Sequence, residues 1–259
     1  MTRALIFDSG VGGLSVAAEI RALLPDLPLD YVSDDAFRPY GAKTPAQLRA
    51  RLPGLVRVLA DMSGADLVVI ACNTASVTAL EAIRAESVVP VVGVVPAVKP
   101  ASIATRTGAI GVLGTPATIR QDYVDELIAD FASDRAVRLL GSVELVGMAE
   151  RLLSGEAPDP SRIRSEIAPL FQGRLGADID TVVLACTHFP LLKDHLARAA
   201  PQSVQWIDSG EAIARRVASL LDTIAPDPRP DTAFLIGPEI TRRAAFHRYG
   251  FDRVVALQE

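Results

Sequence analysis

Short apolar runs alternate with helical stretches from one end of this chain to the other. "ALIFDS" (4–9) reads as a buried strand, and "GLSVAAEIRALLP" (13–25) has helical periodicity and stops at a proline. "LDYVSD" is a second strand. "TPAQLRARLPGLVRVLADMSG" is helical, with Pro53 as the place for a kink. "DLVVIAC" (66–72) is a third strand, followed by the helix "TASVTALEAIRAES"; "PVVGVV" is a fourth, with a helix at "PAVKPASIATRT". The pattern then begins again. "GAIGVLGT" and "VRLLGSV" read as strands around a helix "PATIRQDYVDELIADF", residues 159–176 as a helix, "DTVVLAC" (180–186) as a strand, "PLLKDHLARAAP" as a helix and "VQWIDSG" as a strand. Strands alternating with helices at these lengths imply parallel βαβ units and an α/β fold.

The restart is an internal repeat. "ALIFDSG" and "DLVVIACNT", each leading into a helix, are matched by "AIGVLGT" and "TVVLACTHF" about 110 residues later. The expected architecture is two pseudo-symmetric parallel-sheet α/β domains, residues 98–210 forming the second. Residues 1–97 form the first together with 211–259, where "GEAIARRVASLL", "TAFLIG", "PEITRRAAFHRYG" and "RVVALQ" return to it. "APDPRPD" (225–231) is a loop.

Composition fits an ordinary globular protein: 259 residues, 49% hydrophobic, 22% charged and 5% aromatic. A net charge of -5 argues against broad binding to nucleic acid or to an anionic membrane surface. "MTRALIFDSG" is a strand pattern rather than a signal peptide, and no apolar run approaches a membrane span, so a cytoplasmic protein is expected. The two cysteines lack zinc-ligand spacing, and three histidines do not supply a metal site.

Those two cysteines, Cys72 and Cys186, occupy matching repeat positions at the carboxyl ends of strands, where ligands of parallel α/β sheets gather. Each precedes a helical pattern, whose N–H groups favour bound carboxylates and thiolates. If the halves are related by a pseudo-twofold axis, the thiols flank one small ligand. Two opposed acid/base groups suit removal of a proton from one face of a stereogenic carbon and delivery to the other. A thiol, with a free pKa of about 8.5, suits that work near neutrality. A lone buried cysteine is ordinarily core packing; two in matching positions are harder to explain that way. Asp8, ending the first strand with Ser9, could orient Cys72 or a substrate amine, or simply cap a helix. "SGVGG" (9–13) offers flexible backbone for an anion but lacks the full dinucleotide-binding spacing. "DDAFRPYG" (34–41) is a turn with an exposed Tyr-Gly. His188, two residues beyond Cys186, is placed to tune that thiol, whereas His195 and His247 lie in helical patterns, facing solvent or packing.

Taken in order, "FDSGVGGLSV", "DDAFRPYG", "VIACNTAS", "VVGVVPAVKPA", "LACTHFPLL" and "IDSGEAIA" resemble glutamate racemase, of the cofactor-independent aspartate/glutamate racemase superfamily. The resemblance runs from residue 4 to about 213. It implies interconversion of L- and D-glutamate for peptidoglycan, two α/β domains with the active site between them, no cofactor, and usually a homodimer. It implies that Cys72 and Cys186 are the catalytic thiols, the first taking the proton from D-glutamate and the second from L-glutamate. Asp8 would assist Cys72; His188 and Glu150 would assist Cys186. Asp8, Ser9, Pro39, Tyr40, Gly41, Asn73, Thr74 and Thr187 would be the substrate contacts. Asp35 and Phe37 stand where the family usually has threonine and arginine. A racemase for aspartate or another acid is the alternative within the superfamily; a non-catalytic sensor of an acidic amino acid is the alternative outside it, ahead of a nucleotide-binding oxidoreductase.

Overall fold

A computed structural model describes the chain apart from residues 121, 222, 238–242 and 259. Among the described residues the strands are β1 (Ala4–Asp8), β2 (Leu29–Ser33), β3 (Leu67–Ile70), β4 (Val91–Gly93), β5 (Ala109–Gly114), β6 (Ala136–Gly141), β7 (Thr181–Ala185), β8 (Gln205–Ile207), β9 (Thr232–Ile236) and β10 (Arg253–Leu257). The chain divides into two compact units, Met1–Val94 with Gly210–Glu259, and Val95–Ser209. The first holds a six-stranded sheet in the order β10-β9-β2-β1-β3-β4, the second a four-stranded sheet in the order β6-β5-β7-β8, and all pairings are parallel. The order β2-β1-β3-β4 is that of β6-β5-β7-β8, so β1 corresponds to β5 and β3 to β7. The repeat in the sequence is a repeat in topology, to which β9 and β10 add two strands on one side.

Strand alternation sorts the core. In the second unit Val182 and Leu184 join Leu113 and Leu145 on one face of the sheet, while Val183 and Ala185 join Ile110, Val112 and Val98 on the other. In the first unit Val68 and Ile70 pack with Leu5, Phe7, Leu52 and Val56. Side chains of period two on strands buried on both faces explain why these runs read as continuously apolar. On the other face of the first sheet the Tyr31 ring meets Phe246 and Phe251 edge-on, with centroids 5.3 and 5.6 Å away.

Helix Pro45–Ser63 runs unbroken through Pro53, starting from a Thr44/Gln47 capping box. The helix expected over residues 159–176 is instead three pieces: Pro160–Ile167, a tight 3-10 turn Ala168–Phe171, and Gly173–Asp178. Pro169 has no N–H for the α-helical ladder, and Gly173 takes φ of 66°, a left-handed value that ends one segment and begins the next. The helix expected over 116–131 is Pro116–Ile119 and Asp122–Phe131. Of "PEITRRAAFHRYG", residues 238–242 lie outside the described residues; the rest forms helix Arg243–Arg248. No described helix is long and apolar enough to cross a membrane.

A buried ionic clasp fastens the loop before β9 to the start of β1. Arg3, 1% exposed, donates from Nη1 to Asp30 Oδ1 at 2.7 Å, from Nε to Asp227 Oδ2 at 2.9 Å and from Nη2 to the Arg229 carbonyl at 2.8 Å. The Arg229 guanidinium, helped by Arg3, holds the Asp227 carboxyl well below the usual carboxylate range. Burial pushes Asp30 upward, against the Thr232 N–H and Arg3, which favour its charged form.

Candidate active site

Each unit carries one thiol in the same topological place. Cys72 lies two residues past β3 and Cys186 directly past β7. Alternation carries each onto the face of the strand residues before it: Cys72 with Val68 and Ile70, Cys186 with Val182 and Leu184. Both are buried and neither forms a disulfide. The segments after the two thiols differ. Cys72 is the N-cap residue of the fourteen-residue helix Asn73–Glu86, and its carbonyl accepts the Ser76 N–H at 2.9 Å. The positive helix start beside it favours an anion. Cys186 opens instead onto a tight turn, Phe189–Leu192, before the short helix Lys193–Ala199. Its carbonyl accepts the Phe189 N–H at 3.0 Å, the i to i+3 closure of a 3-10 turn, with Pro190 unable to donate.

The surroundings of the two thiols differ as well. In the first unit Ser9 Oγ lies 3.5 Å from Cys72 Sγ. Asp8 ends β1, the neighbour of β3, and the Ala71 N–H donates to the Phe7 carbonyl at 2.8 Å, which brings Asp8 level with the residues before Cys72. Asp8 is fully buried, and its Oδ2 accepts the Gly13 N–H at 2.9 Å. The glycine-rich loop therefore wraps a carboxylate of the protein's own; Asp8 does not cap helix Leu14–Leu23, whose N-cap residue is Gly13 with no side-chain cap hydrogen bond. Gly13 is required by close approach: a Cβ there would lie 2.8 Å from the Tyr31 hydroxyl and 3.0 Å from Asp8 Cβ. The Tyr31 O–H donates to the Gly10 carbonyl at 2.9 Å and stands 3.5 Å from Asp8 Oδ2. Burial, reinforced by the charges of Asp8 and Asp35, pushes Tyr31 well above the ordinary phenol range, so it remains a donor.

Asn73 and Thr74 are buried in the first turn after Cys72. Asn73 Oδ1 has no hydrogen-bond partner among the described residues. A buried amide oxygen in that state is destabilising unless a donor is supplied, and a ligand N–H can supply it. Pro39 and Gly41 are exposed, as a turn predicts, but Tyr40 is not: it is 2% exposed. Its O–H donates to Asp34 Oδ2 at 2.6 Å and its ring stands edge-on to Phe37, which draws the side chain inward and leaves the backbone at the surface.

In the second unit Cys186 Sγ lies 3.9 Å from His188 Nδ1, and His188 Nε2 lies 3.5 Å from Glu150 Oε1, an ion-pair approach. Helix Glu144–Leu153 presents Glu150, and the turn after β7 presents His188 and the buried Thr187. The imidazole lies between the thiol and the Glu150 carboxylate, an arrangement in which it can exchange a proton with the thiol. The place corresponding to Asp8-Ser9 is Gly114-Thr115, where Thr115 caps helix Pro116–Ile119. The first unit thus sets a hydroxyl against its thiol, with a buried carboxylate ending the neighbouring strand, and the second sets an imidazole–carboxylate pair beside its thiol. His195 makes an exposed contact with Arg198, Nδ1 to Nη2 3.2 Å, and His247 is exposed. No cluster of three metal-ligating side chains occurs among the described residues.

The Asp/Glu/Hydantoin racemase family matches residues 14–217, well over half of the chain. The chain is a member of the glutamate racemase family. The glutamate racemase of Sphingopyxis alaskensis is 52% identical over 218 residues, 84% of this chain and 81% of that one. That of Vibrio cholerae is 51% identical over 219 residues, 85% and 80% of the two chains. A crystal structure of Escherichia coli glutamate racemase, in complex with L-glutamate and an activator, superposes with a TM-score of 0.92 at 41% identity, covering 99% of this chain and 98% of that one. The two parallel-sheet α/β units are the fold of this family of racemases.

Motif reading misses four residues of this racemase that hold the others in place. Tyr31 and Asp34 read as ordinary strand and turn residues. Arg51 lies in an unremarkable helix, and Ser76 Oγ bridges the ends of β3 and β4 by donating to the Ile70 carbonyl and accepting the Val94 N–H. The available signal is a polar group inside or at the end of an otherwise apolar run, which calls for a buried partner.

Proposed function

We propose that the chain interconverts L- and D-glutamate without a cofactor, by a two-base mechanism in which Cys72 and Cys186 serve opposite faces of the α-carbon. The observation that carries this reading is the occurrence of one buried thiol at the same topological place in each unit, each with its own polar assistants. Cys186, as thiolate, takes the α-proton of L-glutamate while Cys72 delivers a proton to the other face; for D-glutamate the roles exchange. Asp8 and Ser9 assist Cys72. His188, oriented by Glu150, assists Cys186. Pro39, Tyr40, Gly41, Asn73, Thr74 and Thr187 hold the substrate, hydroxyl and backbone donors meeting its carboxylates and the Asn73 oxygen meeting its ammonium. The product serves peptidoglycan synthesis, and the enzyme works in the cytoplasm as a homodimer, as the family resemblance implies. Glutamate is favoured over aspartate because the named relatives at 51–52% identity are glutamate racemases.

Optical rotation tests the reading directly. A solution of L-glutamate with the protein alone should lose its rotation and settle at zero; a constant rotation would refute the proposal, and turnover of aspartate only would favour the alternative. Thr74→Ala and Thr187→Ala should raise the Michaelis constant while leaving the protein folded. Each lost hydrogen bond to a charged carboxylate is worth about 1.5–3 kcal/mol, or tenfold and more in affinity. Michaelis constants unchanged in both variants would contradict those two assignments.

A further inference from the structure

Residues 34–43 connect β2 to helix Pro45–Ser63 and carry Pro39, Tyr40 and Gly41. The connection is fastened at both ends. The Asp34 N–H donates to the Asp8 carbonyl at 3.0 Å and the Ala36 N–H to the Ile236 carbonyl at 2.8 Å; at the far end Thr44 closes the capping box. Two carboxylates hold its middle: Asp35 Oδ1 pairs with Arg38 Nε at 3.1 Å, and Asp34 holds Tyr40. Asp34 is fully buried, and beside the Tyr40 hydroxyl at 2.6 Å its Oδ2 accepts Arg51 Nε at 2.9 Å, while Oδ1 accepts Arg51 Nη2 at 2.8 Å. Arg51 reaches back from the helix to make this bidentate grip, a geometry only a guanidinium provides. The guanidinium also lies 4.9 Å over the Phe37 ring, which Lys43 Nζ approaches at 4.4 Å. Phe37 thus stacks with two cations at the place where the family pattern has an arginine of its own.

We propose that Arg51 is a positioning residue for substrate binding: its two-pronged hold on Asp34 fixes Tyr40, and with it the Tyr40–Gly41 backbone that meets the substrate. This rests on the reading of Pro39, Tyr40 and Gly41 as substrate contacts. Arg51 grips Asp34 and lies over Phe37, both on the connection that carries the substrate contacts, so its loss should loosen ground state and transition state alike. Such uniform weakening raises the Michaelis constant and spares the turnover number. Enantiomers have equal free energy in water, so kcat/KM must fall by the same factor in both directions.

The test measures kcat and KM for L- and D-glutamate in the unsubstituted chain, Arg51→Met and Arg51→Lys, with circular dichroism to confirm folding. Arg51→Met should raise both Michaelis constants about tenfold with kcat within about threefold of the parent. Arg51→Lys should recover only part, because an ammonium keeps the charge but not the fork. Folded Arg51→Met with Michaelis constants within twofold of the parent, or with kcat lost and KM unchanged, would overturn the proposal alone. Should Arg51→Met not fold, Arg51→Lys decides in the same way: KM raised threefold or more supports the proposal and an unchanged KM overturns it. No turnover of glutamate by the unsubstituted chain would overturn the functional reading and this proposal with it.

Discussion

Cys72→Ala and Cys186→Ala are each expected to lose glutamate racemisation, by about 100- to 10,000-fold or more, the range of a positioned general acid or base. In a two-base reaction every turnover needs one thiol to accept a proton and the other to give one. Removing either leaves one face of the α-carbon without its partner, so the two variants should be about equally impaired and the double variant little worse. The fold should survive both. Each thiol sits at the rim of an apolar cluster, 6% and 7% exposed, and a cavity the size of one sulfur costs on the order of 1–2 kcal/mol. Polarimetry with circular dichroism checks the pair of expectations. Near-parent racemisation in either folded variant would remove that thiol from the mechanism.

The second large effect is on stability. Arg3→Met should lower stability by about 3–5 kcal/mol, since removing one partner of a buried ionic cluster leaves the Asp30 carboxylate without its guanidinium, while Asp227 keeps Arg229. Asp30 and Asp227 would both lose a guanidinium contact, and their side chains are 5% and 0% exposed. At roughly 2–4 °C per kcal/mol the melting temperature should fall by about 10 °C. Arg84→Met makes the contrast. Its partner Glu81 is 88% exposed at 3.0 Å, and an exposed pair of that kind is worth less than about 1 kcal/mol. Equal melting temperatures for the two variants would contradict the structural role of the Arg3 clasp.

Sequence pattern goes far in this chain where the physics is local. The strands around both cysteines, the repeat, and the placement of Asp8, Ser9, Asn73, Thr74, Thr187 and His188 at strand ends all come from apolar runs stopped by polar residues. Where the outcome depends on distant partners, pattern stops. Arg3 meets residues 27, 224 and 226 positions away, and no spacing predicts that meeting. Tyr40 reads as an exposed turn residue, and its burial is explained by Asp34, fixed by Arg51, together with the Phe37 ring and the core cluster it joins. The helix expected over 159–176 breaks at Pro169 and Gly173, two visible signals outweighed by the apolar periodicity around them. Cys186 opens onto a 3-10 turn rather than a long helix because Pro190 interrupts it, so its environment rests on His188 and Glu150 more than on a helix start.

The central claim is that different groups handle the proton on the two faces of the α-carbon. Heavy water separates this from a one-base mechanism. A thiol carries a single exchangeable hydrogen, and the thiol that protonates the carbanion equilibrates with solvent before substrate arrives. D-glutamate formed from protiated L-glutamate in heavy water should therefore carry deuterium at Cα from the first turnovers, while recovered L-glutamate remains largely protiated. Proton NMR of the α-position, taken at low conversion, reads both quantities at once. Product that retains the substrate's own α-proton, or L-glutamate that exchanges as fast as D-glutamate forms, would contradict the account.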